Sequence, residues 1–105
     1  MIYEIAILQV DPGRAEAFER DLEAAPDLFA TSPDCLSFAL DRVIERPGEY
    51  RLVVGWTSVE AHMVGFRESP AFQQWRAIAG PYFVAPPEVV HTVRAIGRTF
   101  ATSDA

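Results

Sequence analysis

The sequence contains no lysine and no asparagine, and only one cysteine in 105 residues. Each shortage removes a class of chemistry. Without lysine there is no Schiff-base nucleophile and no Walker-type phosphate loop. A lone thiol, Cys35, cannot form an internal disulfide, which fits a reducing cytoplasm. With only His62, His91 and Cys35 as soft ligands, a zinc or iron site within one chain is poorly supplied, and no metal site is expected. Gly13, Gly48, Gly55, Gly65, Gly80 and Gly97 are too far apart for a dinucleotide fingerprint. Any redox chemistry must then come from a bound cofactor or from the substrate itself. No apolar run approaches the roughly 20 residues that span a bilayer. The opening MIYEIAILQV, with Glu4 and no basic residue before it, reads as a strand and not a signal peptide.

Positive charge is also scarce. Net charge is -6, and nine arginines are spread along the chain without a basic cluster. Such a surface repels polyanions, so neither nucleic acid nor an acidic membrane is an expected partner. What remains is ordinary globular composition, 50% hydrophobic and 23% charged. The length fits one domain, read as residues 1–100, with 101–105 as a loose C-terminal tail.

Apolar periodicity orders the elements. Ile2 to Val10 is almost wholly apolar, with Ile2, Ala6, Leu8 and Val10 on one face and Tyr3, Ile5 and Ile7 on the other. Asp11-Pro12 has the N-cap and first-position pattern of a helix start. Ala15, Phe18, Leu22, Ala25 and Phe29 then recur at helical steps. Pro26 must kink or restart that helix. Cys35 to Ile44 alternates Leu36, Phe38 and Leu40 against Ser37, Ala39 and Asp41. A turn at Arg46-Pro47-Gly48-Glu49 leads into a return strand carrying Tyr50, Leu52, Val54 and Trp56 on one face. Thr57-Ser58-Val59-Glu60 resembles a capping box. Ser69-Pro70 opens a further helix, with Phe72, Trp75 and Ile78 or Ala79 as its buried stripe. Val89 to Phe100 is predicted as one long final strand. The order βαββαβ is the split unit of the ferredoxin-like fold, an α+β architecture. Two helical regions cover one sheet face only, yet the first strand is apolar on both. The uncovered face predicts a homodimer with sheet packed on sheet.

Chemistry-bearing residues concentrate between Tyr50 and Phe83. Trp56, Phe66, Phe72, Trp75, Tyr82 and Phe83 surround the imidazole of His62, a composition suited to a flat, apolar aromatic ligand. For Phe66, Phe72 and Trp75 the helical spacing favours plain core. His62 lies four residues before Phe66, so both can share a helix face and His62 can serve as a base near neutral pH. His91 faces opposite to Val90 and Thr92 and is assigned a structural role in the dimer barrel. Arg42 and Arg51 face each other across the hairpin as binders of a carboxylate or phenolate, or else pair with Asp41 or Glu49 on a solvated rim.

The run Val53-Val54-Gly55-Trp56-Thr57-Ser58-Val59-Glu60-Ala61-His62, followed by Phe66-Arg67-Glu68-Ser69-Pro70-Ala71-Phe72, resembles the signature region of the antibiotic biosynthesis monooxygenase family. The Asp11-Pro12-Gly13 turn and the segment Pro33-Asp34-Cys35-Leu36 fit as well, and the likeness extends from Ile2 to about Val93. The resemblance implies a dimeric α+β barrel with a pocket between sheet and helices. It implies a cytoplasmic oxidoreductase that oxidises a small phenol or quinol with molecular oxygen and no cofactor. His62 would be its base and Trp56 its ring-positioning group. Phe66, Phe72, Trp75, Tyr82, Phe83 and Arg42 would bind the substrate. Other members degrade haem with an Asn, a Trp and a His; the corresponding positions fall near Ala6, Gly65 and Trp75, and none matches. The same scaffold also accommodates a non-catalytic small-molecule-binding protein, or an isomerase or cyclase in which His62 moves a proton without oxygen.

Overall fold

A computed structural model of the chain describes residues 1–101; residues 102–105 of the expected tail lie outside the described residues. Four strands form one antiparallel sheet in the order β2-β3-β1-β4. They are β1 (Ile2–Gln9), β2 (Cys35–Arg42), β3 (Glu49–Trp56) and β4 (Glu88–Thr92). Helices α1 (Ala15–Asp21), α2 (Ala25–Ala30) and α3 (Pro70–Ala79) bury their apolar sides against one sheet face. The expected α+β, ferredoxin-like order is therefore present.

Local chemistry explains most boundaries. The Asp11 carboxylate accepts from the Gly13 N–H at 2.9 Å and starts a short 3₁₀ turn, Pro12–Arg14, that leads into α1. Pro26 restarts the helix: α1 ends at Asp21, and Pro26 sits in the first turn of α2, where its missing donor costs nothing. The Ser69 hydroxyl accepts from the Phe72 N–H at 3.3 Å and Pro70 follows in α3. Its fully or nearly buried residues are Ala71, Trp75 and Ala79, with Phe72 and Ile78 half-buried at the margin.

The core lies between the helices and the inner rows of the sheet. Tyr50, Leu52, Val54 and Trp56 of β3 all point inward, as their alternation predicts. Phe18 of α1 and Phe29 of α2 are fully buried against them. Phe29 stacks on Phe66 with centroids 4.6 Å apart and meets Trp75 edge-on at 5.3 Å. Each such buried ring contributes about 1.5–3 kcal/mol through the apolar area it removes from water.

Two expectations are corrected. A bulge between Cys35 and Ser37 shifts the register of β2, so Cys35 faces the core and Leu36 is pushed outward, 51% exposed. The final strand stops at Thr92. Val93, Ile96 and Phe100 beyond it are exposed and outside the sheet; past the Tyr3–Thr92 pair, β1 offers only Ile2.

The hairpin between β2 and β3 is set by Gly48. The Glu49 N–H donates to the Arg46 carbonyl at 3.0 Å across Pro47-Gly48, and Gly48 has φ of 87°. Its carbonyl accepts from the Val10 N–H at 2.8 Å, and a Cβ at Gly48 would sit 2.2 Å from the Val10 carbonyl oxygen. Gly48→Ala is therefore expected to cost at least about 2 kcal/mol, through left-handed strain plus displacement of backbone. An unchanged urea midpoint in that variant would show that the turn tolerates a side chain.

Candidate functional site

Strand register brings together the polar centre. Glu4 in β1 is paired with Val54 of β3 on one side and His91 of β4 on the other. Period-two alternation puts Glu4 on the inner face with Ala6 and Leu8, where it is 5% exposed. A buried carboxylate without donors would be costly. Two neighbours supply them. Trp56 Nε1 donates to Glu4 Oε1 at 3.0 Å, and His62 Nε2 lies 3.2 Å from the same oxygen. The opposite ring nitrogen, His62 Nδ1, lies 2.9 Å from His91 Nε2. The result is one continuous chain from Trp56 through Glu4 and His62 to His91. No buried side-chain nitrogen or oxygen among the described residues lacks a partner.

His62 reaches this place on an unusual turn. The Ser58 hydroxyl, not that of Thr57, caps the segment by accepting from the Ala61 N–H at 3.1 Å. Thr57 is instead tied to Asp34 through a 2.9 Å hydrogen bond. Residues Ala61–Phe66 then wind as a π-helix, and the Arg67 N–H reaches back to the His62 carbonyl at 3.1 Å. Wide turns of this kind recur at functional sites. Here His62 and Phe66 point inward while Met63 and Val64 stay exposed. The Trp56 ring stacks on the His62 ring, centroids 5.4 Å apart and planes 20° apart, and fixes its plane.

Burial governs the proton affinities. It pushes the His62 imidazole down to about 4, with the positive fields of His91 and Arg67 adding to the effect. Burial also raises the Glu4 carboxyl above its ordinary value, while the Trp56 hydrogen bond and the Arg67 charge pull the other way. A neutral His62 carries one N–H, and two proton arrangements satisfy the chain. In one, His62 Nε2–H donates to the Glu4 carboxylate and His91 Nε2–H donates to His62 Nδ1. In the other, protonated Glu4 donates to His62 Nε2, and His62 Nδ1–H donates to His91 Nε2. A proton arriving at the outer nitrogen of His91 converts the first into the second and comes to rest on Glu4.

His62 engages Glu4 and His91 through opposite nitrogens, so the three donors do not converge on a point. Among the described residues no group of three His, Cys, Asp or Glu side chains is placed to hold a metal ion.

The chain forms one end of a cleft of about 820 Å³ between the sheet, the π-turn, α3 and the Phe83–Pro87 segment. Ala6, Leu8 and Leu52 line its sheet side; Phe72, Trp75 and Phe83 line the opposite wall. Of the residues expected at the site, His62, Phe72, Trp75 and Phe83 thus lie on the cleft. Trp56 is fully buried behind His62, and Phe66 packs behind the wall on Phe29 and Trp56. Tyr82 points away, its hydroxyl bonded to Asp21 and its ring packed edge-on to Phe18.

Arg42 is far from the cleft. It does not face Arg51, because the register pairs it with Tyr50 and pairs Arg51 with Asp41. Arg42 grips Glu19 with two hydrogen bonds of 2.7 and 2.5 Å, and Tyr50 donates to the same carboxylate at 2.6 Å. Arg51 instead pairs with Glu49 at 2.9 Å. His91, assigned to the dimer barrel, lines the cleft beside His62. Glu4, Arg67 and Arg76 also line it and carry no expectation from the sequence. For Glu4 a signal existed: it shares the alternation of Ala6, Leu8 and Val10, so it was a lone carboxylate on an apolar face.

An antiparallel β2-β3-β1-β4 sheet with helices on one face and an aromatic cleft between them defines a ferredoxin-like α+β protein. Residues 1–78 match the family model described as antibiotic biosynthesis monooxygenase, and the chain belongs to that family. Among solved structures, a candidate antibiotic biosynthesis monooxygenase from Bordetella bronchiseptica is 44% identical, over 90% of this chain and 97% of that one, with a TM-score of 0.86. A second such protein, from Caulobacter crescentus, is 27% identical over 91% and 90% of the two chains, with a TM-score of 0.75. The uncharacterized protein YczJ of Bacillus subtilis is 29% identical over 91 residues, covering 87% of this chain and 96% of its own length. No helix among the described residues is long and apolar enough to cross a membrane.

The His62 shift has a sign that can be read. Its folded value near 4 lies below the ordinary 6.5, so its contribution to stability is complete above about pH 6.5 and is lost as pH falls toward 4. The raised Glu4 value acts oppositely, its contribution being lost as pH rises above the ordinary 4.5. In proton NMR the His62 ring signals should stay at their neutral positions from pH 8 down to about 5. A His62 that titrates near pH 6.5 would mean its ring is not held in the buried chain.

Proposed function

We propose that the protein is a cofactor-independent monooxygenase that oxidises a small phenol or quinol with molecular oxygen. Family membership supports the reaction class, and the hydrogen-bonded chain at the end of an apolar, ring-lined cleft is the observation that carries the reading. The protein's tasks are to exclude water, orient the ring and take a proton. The outer nitrogen of His91, Nδ1, accepts the phenolic proton, and the relay through His62 lodges it on Glu4. The phenolate then gives one electron to oxygen, and the aryloxyl radical and superoxide combine to form a carbon–oxygen bond. The ring-carbon hydrogen of the resulting peroxide anion passes as a proton to the outer oxygen while the O–O bond breaks, giving a quinone and hydroxide. The stored proton returns to that hydroxide, so phenol and oxygen yield quinone and water. In this reading His91 is the base that touches substrate, while His62 and Glu4 form the relay. Trp56 holds the relay in place.

Oxygen uptake with a panel of naphthols and quinols tests this reading. Wild type is expected to consume oxygen above background, and His91→Ala and His62→Ala to be slower by about 10²-fold or more. Absence of uptake with every member of the panel, or unimpaired histidine variants, rejects it.

The working unit is a homodimer. Register aligns Ala39, Val53, Ile5 and Val90 in one row across the outer face of all four strands. Ile5, Val53 and Ala39 are only half-buried in one copy, and Val90 is more exposed still. A second sheet laid on this stripe removes it from water. Sedimentation at micromolar concentration should show a dimer for wild type and a monomer with unchanged helix content for Val53→Glu. A monomeric wild type would contradict the pairing.

A further inference from the structure

Besides the hydrogen-bonded residues, the cleft carries a pair of cations. Arg67 follows the π-turn and Arg76 lies in α3, and both line the cleft. Their guanidinium carbons lie 5.7 and 5.9 Å from the centroid of the same ring, Phe72. This cation–π contact holds both side chains near one aromatic wall. Neither makes an ion pair among the described residues, whereas Arg42, Arg46 and Arg51 each rest on a carboxylate. Among the described residues the only acidic one lining the cleft is Glu4, which is buried and already engaged by Trp56 and His62. The cleft therefore combines two cations, an aromatic wall and the histidine pair. Solvated arginines on a helix surface would be unremarkable alone. Two of them on one cleft, without acidic partners and flanking one ring, match an anion attached to a flat molecule.

We propose that the cleft selects a planar aromatic acid, its carboxylate held between Arg67 and Arg76 and its ring laid along Phe72, Trp75 and Phe83. The further statement, that the ionisable hydroxyl of such a substrate meets His91, rests on the monooxygenase reading; the anion site itself does not. The arrangement couples binding to proton transfer. The Arg67 charge reaches His62 and weakens its hold on a proton. A carboxylate seated on Arg67 offsets that field, so the relay accepts a proton more readily when substrate is present.

The test uses 2-naphthoate and its neutral isostere 2-naphthamide, titrated calorimetrically into the full chain. Naphthoate has no ionisable hydroxyl, so its binding is independent of oxidation. It should bind about tenfold tighter than the amide, and the advantage should shrink as salt is raised. Arg67→Met and Arg76→Met should each lose about tenfold in naphthoate affinity with little change for the amide, and Arg20→Met, an exposed arginine outside the cleft, should leave both unchanged. Equal affinity of wild type for the two ligands overturns the proposal without recourse to any variant. So does an equal loss in Arg20→Met. If the naphthoate preference holds while no phenol is oxidised, the anion site stands and the monooxygenase reading falls.

Discussion

The structure turns on the burial of one carboxylate. Glu4 sits among Ala6, Leu8 and Val54 on the inner face of the sheet, and its cost is met by two donors from distant parts of the chain. Breaking either contact would leave a buried polar group underpaired, which costs more than the bond itself contributes. The arrangement therefore holds several elements in place at once. A slip of β1 by one residue would carry Glu4 to the outer face and leave the Trp56 and His62 nitrogens without an acceptor. The same contact ties the end of β3 to the π-turn, and the turn to β4 through His91. Fold specificity and the geometry of the candidate site thus rest on the same few hydrogen bonds.

Around this centre the aromatic residues divide into two layers. Trp56, Phe66 and Phe29 form a packed second layer that faces no ligand. Phe72, Trp75 and Phe83 form the wall itself. The inner layer sets the orientation of His62; the outer layer offers flat surface. The division separates the residues that hold the hydrogen-bond chain from those that shape the cleft.

What could be read from the sequence was what local physics decides. Asp11-Pro12 and Ser69-Pro70 carry their caps within three residues, and Pro47-Gly48 carries the backbone freedom its turn requires. The alternation from Tyr50 to Trp56 needs no partner to be recognised. Features that depend on distant chain were less visible. The bulge that turns Leu36 outward is a property of the β2–β3 pairing. At the early end of β4 only Ile2 of β1 remains beyond the last pair, and apolar Val93, Ile96 and Phe100 mimic a longer strand. Arg42 was drawn to Glu19, 23 residues earlier, by a helix whose position the hairpin pattern does not encode. The same limit applied at the site. His62 was legible as a candidate because it sits in a dense aromatic stretch. Its partners were not, because Glu4 and His91 meet it only through strand order, and the π-turn that aims it leaves no periodic trace.

The position of β4 governs how the candidate site comes apart. This five-residue strand lies at the edge of the sheet, bonded to β1 alone within the chain, and it carries His91 at the outermost link of the hydrogen-bond chain. Edge strands open at lower free energy than the strands they flank. Fraying of β4 would unhook His91 while Glu4, Trp56 and the packed rings stay in place. Mild heating or low denaturant would then produce a folded protein with His91 detached from His62, and loss of that contact would run ahead of unfolding.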